Sequence, residues 1–485
     1  MYLLRALCIY MLSIHFTYAQ DEVYKHSLRC DMMQIYEEIP KEVENLSDMF
    51  CNGVFYGRIR FNSFSVNWEN EVDNRRKDST IAAVGGSMVY KSAYYKGFSI
   101  GVGLYTSYAK GTLSSKQSNL YASGKDTLDL YNLLSGGKRS IFTVAQAYLE
   151  YTYKDTYLRV GRQLHESFLT RSNDTKMIPN SFEGLSLATK VLPNTVVKMA
   201  YLTKQKLRNH SKFHHLLAYG DEQSDPYARY SQNDDAAIHK GITLSKLKQR
   251  DIKDRLFIFE AKNTSFDNLQ LYMNYTAAPK LLSYLMLQAD YRYDIADWSV
   301  TPGFRYMKQF DKGAGSFAGA NLKNITTAYR NPDSLDAALY GVRVDIVNDA
   351  FKLRFGYTKT ADKSDIVTPW RGFPTAGFTR AMSQYNWYAN TKSYMVQLDY
   401  ALETIENFKI LARFVVQDFD DRKIGVQADS KLFTFDATKS FPEQSISFKT
   451  RFAHVTDDGQ NEYNTALSKP NPSYDEVRFE INYLF

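Results

Sequence analysis

The chain has 485 residues, with 37 Tyr and 30 Phe but only 4 Trp and 3 Cys, and a formal net charge of +7 at pH 7. So weak a net charge on so long a chain argues against bulk nucleic-acid binding, and beyond residue 19 no apolar run approaches the roughly 18 residues of a membrane-crossing helix. No Pro/Ser-rich linker, low-complexity tract or shift in composition divides the chain, although a soluble protein of this length would suggest about three domains.

Residues 1–19, MYLLRALCIYMLSIHFTYA, carry one cation (Arg5), an apolar run through Phe16, and Thr17 and Ala19 just ahead of Gln20. This is the layout of a secretory signal peptide cleaved before Gln20, its apolar core too short to span a bilayer comfortably. No small-residue lipobox precedes Cys8. Past the leader the chain would stand in an oxidising compartment, where Cys30 and Cys51 would pair if the fold brings them together, tying the N-terminal segment to the first strand.

From residue 53 the dominant period is two. GFSIGVGLY (97–105) sets Phe98, Ile100, Val102 and Leu104 against Ser99, Gly101, Gly103 and Tyr105. FKLRFGYTK (351–359) alternates Phe351, Leu353, Phe355 and Tyr357 with Lys352, Arg354, Gly356 and Thr358, and FKILARFVVQ (408–417) keeps Lys409 and Arg413 on its wetter side. Such alternation reads as strand, and each stretch has the roughly 9 to 11 residues that a tilted membrane strand needs. The candidates are 53–66, 79–91, 97–107, 139–153, 155–163, 182–191, 195–203, 254–262 and 266–277, then 281–293, 297–310, 336–348, 350–358, 391–402, 406–417, 430–440, 444–454 and 474–485. Tight connections (YKDTY, VLPNT, DIAD, VNDA, LETIEN, FPEQ) alternate with long ones at 108–138, 164–181, 204–253, 311–335, 359–390 and 455–473. AAPK (277–280) is the exception, short where a long loop is due.

The chain closes on EVRFEINYLF, with Val477, Phe479, Ile481, Tyr483 and Phe485 on one face and Glu476, Arg478, Glu480, Asn482 and Leu484 on the other. Short turns on one side, long loops on the other and an even strand count describe an all-β, transmembrane antiparallel β-barrel of about 18 strands. A soluble sandwich or propeller is the competing architecture; no repeat period supports a propeller, and the leader together with the terminal Phe485 favours the barrel. On this reading residues 20–52 form a periplasmic lead-in, with the acidic segment EEIPKEVENLSD (37–48) at the entrance, and residues 53–485 form the barrel.

Three stretches resemble the OprD-type porins of Gram-negative outer membranes. LSDMFCNGVFYGRIRFNSFS (46–65) is similar to that family's entry into strand one. GRQLHESFLTRSNDTKMIPNSFEGLSL (161–187) resembles its fifth strand, inward-folded third loop and the opening of strand six, and DEVRFEINYLF is similar to its closing strand. The resemblance implies a cell outer-membrane channel for small organic solutes, often carboxylates, constricted by loop three and lined by arginines. It also implies contact with outer-membrane lipid, and that Phe485 is read by the barrel-insertion machinery. The Cys30 and Cys51 pair is not a family feature.

Assigning the wetter face of each strand to the lumen places Arg58, Arg60, Arg159, Arg292, Arg305, Arg343, Arg354, Arg413, Arg451 and Arg478 inside, with Lys352, Lys409 and Lys449. A planar guanidinium can pass an anion from one bidentate contact to the next without losing its charge, and rows of such charge set pore selectivity. The alternative is that these arginines pair with lumen acids, among them Glu150, Asp290, Asp345 and Glu480, and stiffen the wall. In loop three, Arg171, Asp174 and Lys176 are expected to form a mixed-charge constriction.

His165 near Ser167 and Ser172 lacks an acid to complete a triad, so no enzyme is expected. HSKFHHLLAYGDE (210–222) lacks the metalloprotease glutamate and reads as an exposed loop with a few histidines, without metal or other cofactor. The functional expectation is passive diffusion of small hydrophilic solutes, with a preference for carboxylates. The rival is an adhesin or receptor acting through long loops, 204–253 above all. The sequence leaves the solute open and is compatible with either a monomer or an oligomer.

Overall fold

The computed structural model describes residues 26–29, 32–36, 40–222, 238–382, 385–457, 469, 471 and 473–485. The expected leader at 1–19, Cys30 and with it the expected Cys30–Cys51 pairing lie outside the described residues; Cys51 itself is exposed.

Eighteen long strands make one closed antiparallel barrel. The first nine are β1 (Val54–Trp68), β2 (Ser79–Lys91), β3 (Phe98–Gly111), β4 (Ser140–Tyr153), β5 (Thr156–Gln163), β6 (Ser181–Thr189), β7 (Thr195–Lys206), β8 (Leu256–Phe266) and β9 (Leu269–Ala278). The rest are β10 (Leu282–Tyr291), β11 (Trp298–Asp311), β12 (Ala337–Val347), β13 (Phe351–Thr360), β14 (Lys392–Ala401), β15 (Phe408–Asp418), β16 (Ser430–Phe441), β17 (Ile446–Thr456) and β18 (Tyr474–Leu484). Each pairs with its neighbours in sequence, and β18 closes on β1 from Tyr474↔Trp68 to Leu484↔Arg58. Every stretch with period-two alternation is a strand. The largest boundary difference among the early strands is at β3, which runs on to Gly111 because its far end still pairs with Ile81 of β2.

The last residue seals this seam. The Phe485 N–H donates to the Gly57 carbonyl at 3.1 Å and the Gly57 N–H donates to the Phe485 carbonyl at 2.7 Å. A Cβ at Gly57 would lie 2.2 Å from the Ser87 carbonyl oxygen and 2.8 Å from the Phe485 ring, so the close approach depends on glycine.

Connections alternate as expected. On one side they are tight turns, several passing through asparagine in the left-handed region: Asn194 (φ +50°), Asn268 (φ +61°) and Asn407 (φ +53°). On the other side they are long, except that Ala278 and Leu282 are joined by a tight turn with Lys280 at φ +60°.

The exposed and buried faces are inverted relative to a soluble protein. Val84, Phe142, Val160, Phe304, Phe355, Phe414 and Val477 are exposed on the outside. On the closing strand Glu476 and Asn482 are each 1% exposed, facing in, while Val477 is 47% exposed, facing out. Each such apolar side chain left in water would forfeit roughly 1.5–3 kcal/mol against full burial, and the belt together would forfeit more than the whole stability of an ordinary domain, about 5–15 kcal/mol. An acyl-chain environment removes that cost. Tyrosine pairs such as Tyr306–Tyr340 (ring centroids 5.3 Å) and Tyr357–Tyr394 (5.0 Å) lie across neighbouring strands on this surface, where a ring and a hydroxyl are both satisfied at an interface.

The lead-in is only partly at the mouth. Glu42–Val43 pairs in parallel with Tyr94–Tyr95 beside the β2–β3 turn, and α1 (Leu46–Cys51) is capped by the Asn45 side chain, which accepts from the Asp48 N–H at 2.9 Å. Ahead of them, His26–Leu28 pairs with Gln34–Tyr36, and this hairpin contacts lumen residues of β1 and loop three. The expectation of a purely periplasmic lead-in is therefore corrected: the hairpin's polar groups find partners inside the barrel.

Candidate functional site

The third long loop, 164–180, folds into the lumen because its polar groups are satisfied there. Asp174, 3% exposed, accepts from Arg60 at 2.9 Å and also bonds Arg58, and Arg60 reaches on to Glu480 at 2.6 Å. Both arginines are fixed two residues apart on the inward face of β1. Asn62, next on that face, donates to the Lys176 carbonyl, and the Lys176 ammonium lies 4.1 Å from the centre of the Phe64 ring. Asp174 and Lys176 are thus turned to the wall and buried. The expected mixed-charge constriction is corrected: of the three loop residues, only Arg171 keeps substantial exposure, with an ion pair to Glu166 at 3.3 Å.

A partner the sequence reading did not identify holds the other side of loop three. In loop seven (361–391), the Trp370 carbonyl accepts from Arg171 N at 3.0 Å and Gly372 N donates to the Leu169 carbonyl at 2.9 Å, with Thr170 bridged to Arg371. The two loops form a small antiparallel zipper across the lumen. A Cβ on Gly372 would stand 2.3 Å from the Leu169 carbonyl carbon, so Gly372→Val is expected to separate the loops and raise single-channel conductance, while Gly372→Ala does so less. Unchanged conductance in the valine variant would show that the zipper does not narrow the passage.

The arginine row divides by what each member holds. Arg58 and Arg60 clamp loop three. Arg305 clamps loop seven, donating to the Pro374 and Ala376 carbonyls at 2.8 Å each and lying against Phe378 (4.3 Å) and Phe168 (5.1 Å). Arg343 donates to the Gly377 carbonyl at 3.0 Å and pairs with Asp290 at 2.7 Å. Along the wall Arg159 pairs with Glu150, Arg354 with Asp345, Arg451 with Asp436 and Arg478 with Glu476. Arg292 falls outside this wall: it lies in the turn after β10, exposed and paired with Asp294 at 2.6 Å. It keeps the parity of the inward Asp290 but falls in the interruption between Tyr291 and Tyr293, at the turn end of the strand, where its side chain is exposed.

Pairing does not cancel the charge along β13 to β18. Asp345 serves both Arg354 (2.6 Å) and Lys352 (2.9 Å), and Asp436 serves both Arg451 and Lys449 (3.3 Å). Between them Arg413 makes no ion pair among the described residues; its Nε donates to the neutral Gln397 amide at 2.6 Å. Arg451 and Arg478 stand directly opposite in register, a like-charge placement that costs stability in a sheet and is tolerated here because Arg451 pairs with Asp436 and Arg478 with Glu476. Beside loop three these residues border a gap of about 40 Å³, with Thr175, Glu480 and Met32 on its other sides. That is room for about one water.

The remaining long loops pack inward too. Leu216, Leu217, Ile242, Leu244 and Leu247 join Trp370 and Trp387 in one buried cluster. The histidine stretch is therefore not an exposed loop. His210 and His214 are each 1% exposed, with ring nitrogens 2.6 Å apart, and His214 Nδ1 donates to the His215 carbonyl. His239 donates through Nε2 to the Gly319 carbonyl and accepts through Nδ1 from Gly241 N. Both rings use one nitrogen as an acceptor and are held neutral; burial pushes His214 down to about 3 and His239 down to about 4.

An unfolded loop binds protons on these residues below about pH 6.5, which the docked loop refuses, so docking weakens as pH falls from about 6.5 toward about 4. Each histidine contributes up to about 1.4 kcal/mol per unit of pH across that window. Amide protection in 238–253, taken relative to the intrinsic exchange rate at each pH, is expected to be lower at pH 5 than at pH 7, and the His214→Gln/His239→Gln variant is expected to flatten that dependence. Equal protection at both pH values would contradict the assignment. His165 assembles no triad: Ser167 bonds Thr170 at 2.8 Å and Ser172 bonds Glu166.

No family model and no curated relative matches the sequence. Solved structures do match the fold. OccAB3 of Acinetobacter baumannii superposes with a TM-score of 0.68 at 12% identity, over 90% of this chain and 100% of that one. OpdK of Pseudomonas aeruginosa, solved with vanillate, gives 0.64 at 13% identity over 89% and 98%. OpdQ of the same organism gives 0.63 at 15% identity over 90% and 99%. The barrel has the fold of the OprD/Occ porins.

Proposed function

From a barrel with the OprD/Occ porin fold, we propose an outer-membrane channel through which small hydrophilic solutes diffuse passively, with a preference for carboxylate-bearing molecules. The observation that carries this reading is the excess of positive charge from β13 to β17, where Arg413 makes no ion pair among the described residues and Lys352/Arg354 and Lys449/Arg451 each share a single carboxylate. A carboxylate entering from water would find a guanidinium already aligned by Gln397 and not engaged by a competing anion. The wet face of the closing strand then lines one side of this passage through Arg478 and Glu480. Vanillate, with which OpdK was solved, is a carboxylate of the size class this reading favours.

Electrostatics alone sets the preference, since no step of chemistry is required: an anion is attracted by the positive potential that the barrel wall focuses into the lumen and leaves because its contacts are several and individually weak. Planar-bilayer recording of the refolded barrel tests this directly. Small aromatic carboxylates are expected to produce concentration-dependent current block that the matching neutral amides do not. Equal block by acid and amide would remove the carboxylate preference while leaving a channel.

A further inference from the structure

The N-terminal hairpin occupies a place that the eighteen strands and loop three do not explain. It is anchored at the periplasmic rim, where Tyr94 N donates to the Lys41 carbonyl at 3.0 Å and Ala93 N donates to the Met49 carbonyl at 2.9 Å. From there it runs up the inner face of β1. The Tyr36 ring stacks on Tyr56 with centroids 4.8 Å apart and planes within 6°, and Gln34 Nε2 donates to the Gly57 carbonyl at 2.7 Å. Met32, at φ +62° and 8% exposed, offers its carbonyl to Arg58 Nη1 at 2.6 Å. Met33 meets loop three, its sulfur 3.3 Å from Ser172 Oγ.

Resting on the channel reading above, we propose that Met32–Tyr36 is a wall of the conducting passage, a second constriction element that also takes Arg58 out of the basic track. Two observations carry it independently. Met32 borders the narrow gap beside loop three, facing Lys449, Arg451 and Arg478 across it. Arg58, 1% exposed, has one arm on the Met32 carbonyl and the other on Asp174, so neither remains for a passing anion. The eyelet is therefore bounded by loop three from one side of the membrane and by the chain's own N-terminal segment from the other. Met32 and the β17–β18 wall thus stand on opposite sides of the narrow gap.

Cysteine modification in the full chain tests this. Met32→Cys, with the other cysteines replaced by serine, is recorded in a planar bilayer before and after adding an anionic methanethiosulfonate to the periplasmic side. Stepwise loss of about half the single-channel current is expected, since added bulk at a constriction blocks flow. A steady current that labelling leaves unchanged, with modification verified by mass, overturns the proposal and leaves the channel reading standing. No current before the reagent removes the channel reading and the proposal with it. Deleting residues 26–36 is a second, independent variant, expected to raise conductance about twofold and to increase anion preference as Arg58 is released; unchanged conductance in an inserted barrel also overturns the proposal.

Discussion

Asp174→Ala is expected to give the largest change in conductance of any single substitution in loop three. Asp174 is the counter-charge of two arginines that are each 1% exposed, and its loss leaves Arg58 with only the Met32 carbonyl while Arg60 falls back on Glu480. Removing one partner of a buried ion pair costs about 3–5 kcal/mol because the remaining charge is uncompensated. That exceeds what the bonds left to the alanine variant, Asn62 to the Lys176 carbonyl and Arg60 to the backbone carbonyl of residue 174, can offset at about 0.5–1.5 kcal/mol each. Loop three should therefore leave the wall of β1, with higher and noisier single-channel current. Asp174→Asn keeps an acceptor without the charge and is expected to fall between the two. A quiet, unchanged current in the alanine variant would mean that the zipper to loop seven suffices to hold the loop in place.

Arg413→Glu is expected to give the largest change in selectivity. Arg343 pairs with Asp290 and Arg354 with Asp345, so their substitution exposes an acid as well as removing a cation, and the two effects are hard to separate. Arg413 donates to the neutral Gln397 and makes no ion pair among the described residues, so its substitution leaves no paired acid behind, with Asp436 and Asp399 acting on its charge from nearby. Reversal there would put a carboxylate beside Asp436 and Asp399, converting the middle of the track from attractive to repulsive for anions. Anion preference should fall by about tenfold, equivalent to about 1.4 kcal/mol, and Arg413→Gln should lose part of it. Conductance should change far less than selectivity, which separates this effect from loop displacement.

The two predictions also mark where the sequence was informative. Alternation alone located all the strands, because a membrane barrel wall must be apolar outside on every second residue whatever the rest of the fold does. The resemblance of 161–187 implies an inward third loop, and alternation puts Arg58 and Arg60 on the lumen face, but neither shows that the two arginines hold Asp174. Loop seven was read only as a long connection. Its role rests on Gly372 and on backbone carbonyls at Trp370, Pro374 and Ala376, which have no side-chain signature. The histidines at 210 and 214 look like surface chemistry in sequence because nothing there shows that the His214 backbone pairs with Gln205 of β7, which draws the stretch inward. The division of the arginines into clamps, paired wall groups and the unpaired Arg413 depends on which acid falls opposite which strand. That register is a property of the closed barrel.

The measurement that tests the account most directly is the reversal potential of single channels of the refolded barrel under a salt gradient. The potential is predicted to lie on the anion-selective side and to move toward zero as salt rises and screens the lumen charges. A cation-selective potential, or a correctly folded and inserted barrel that passes no current, would contradict it.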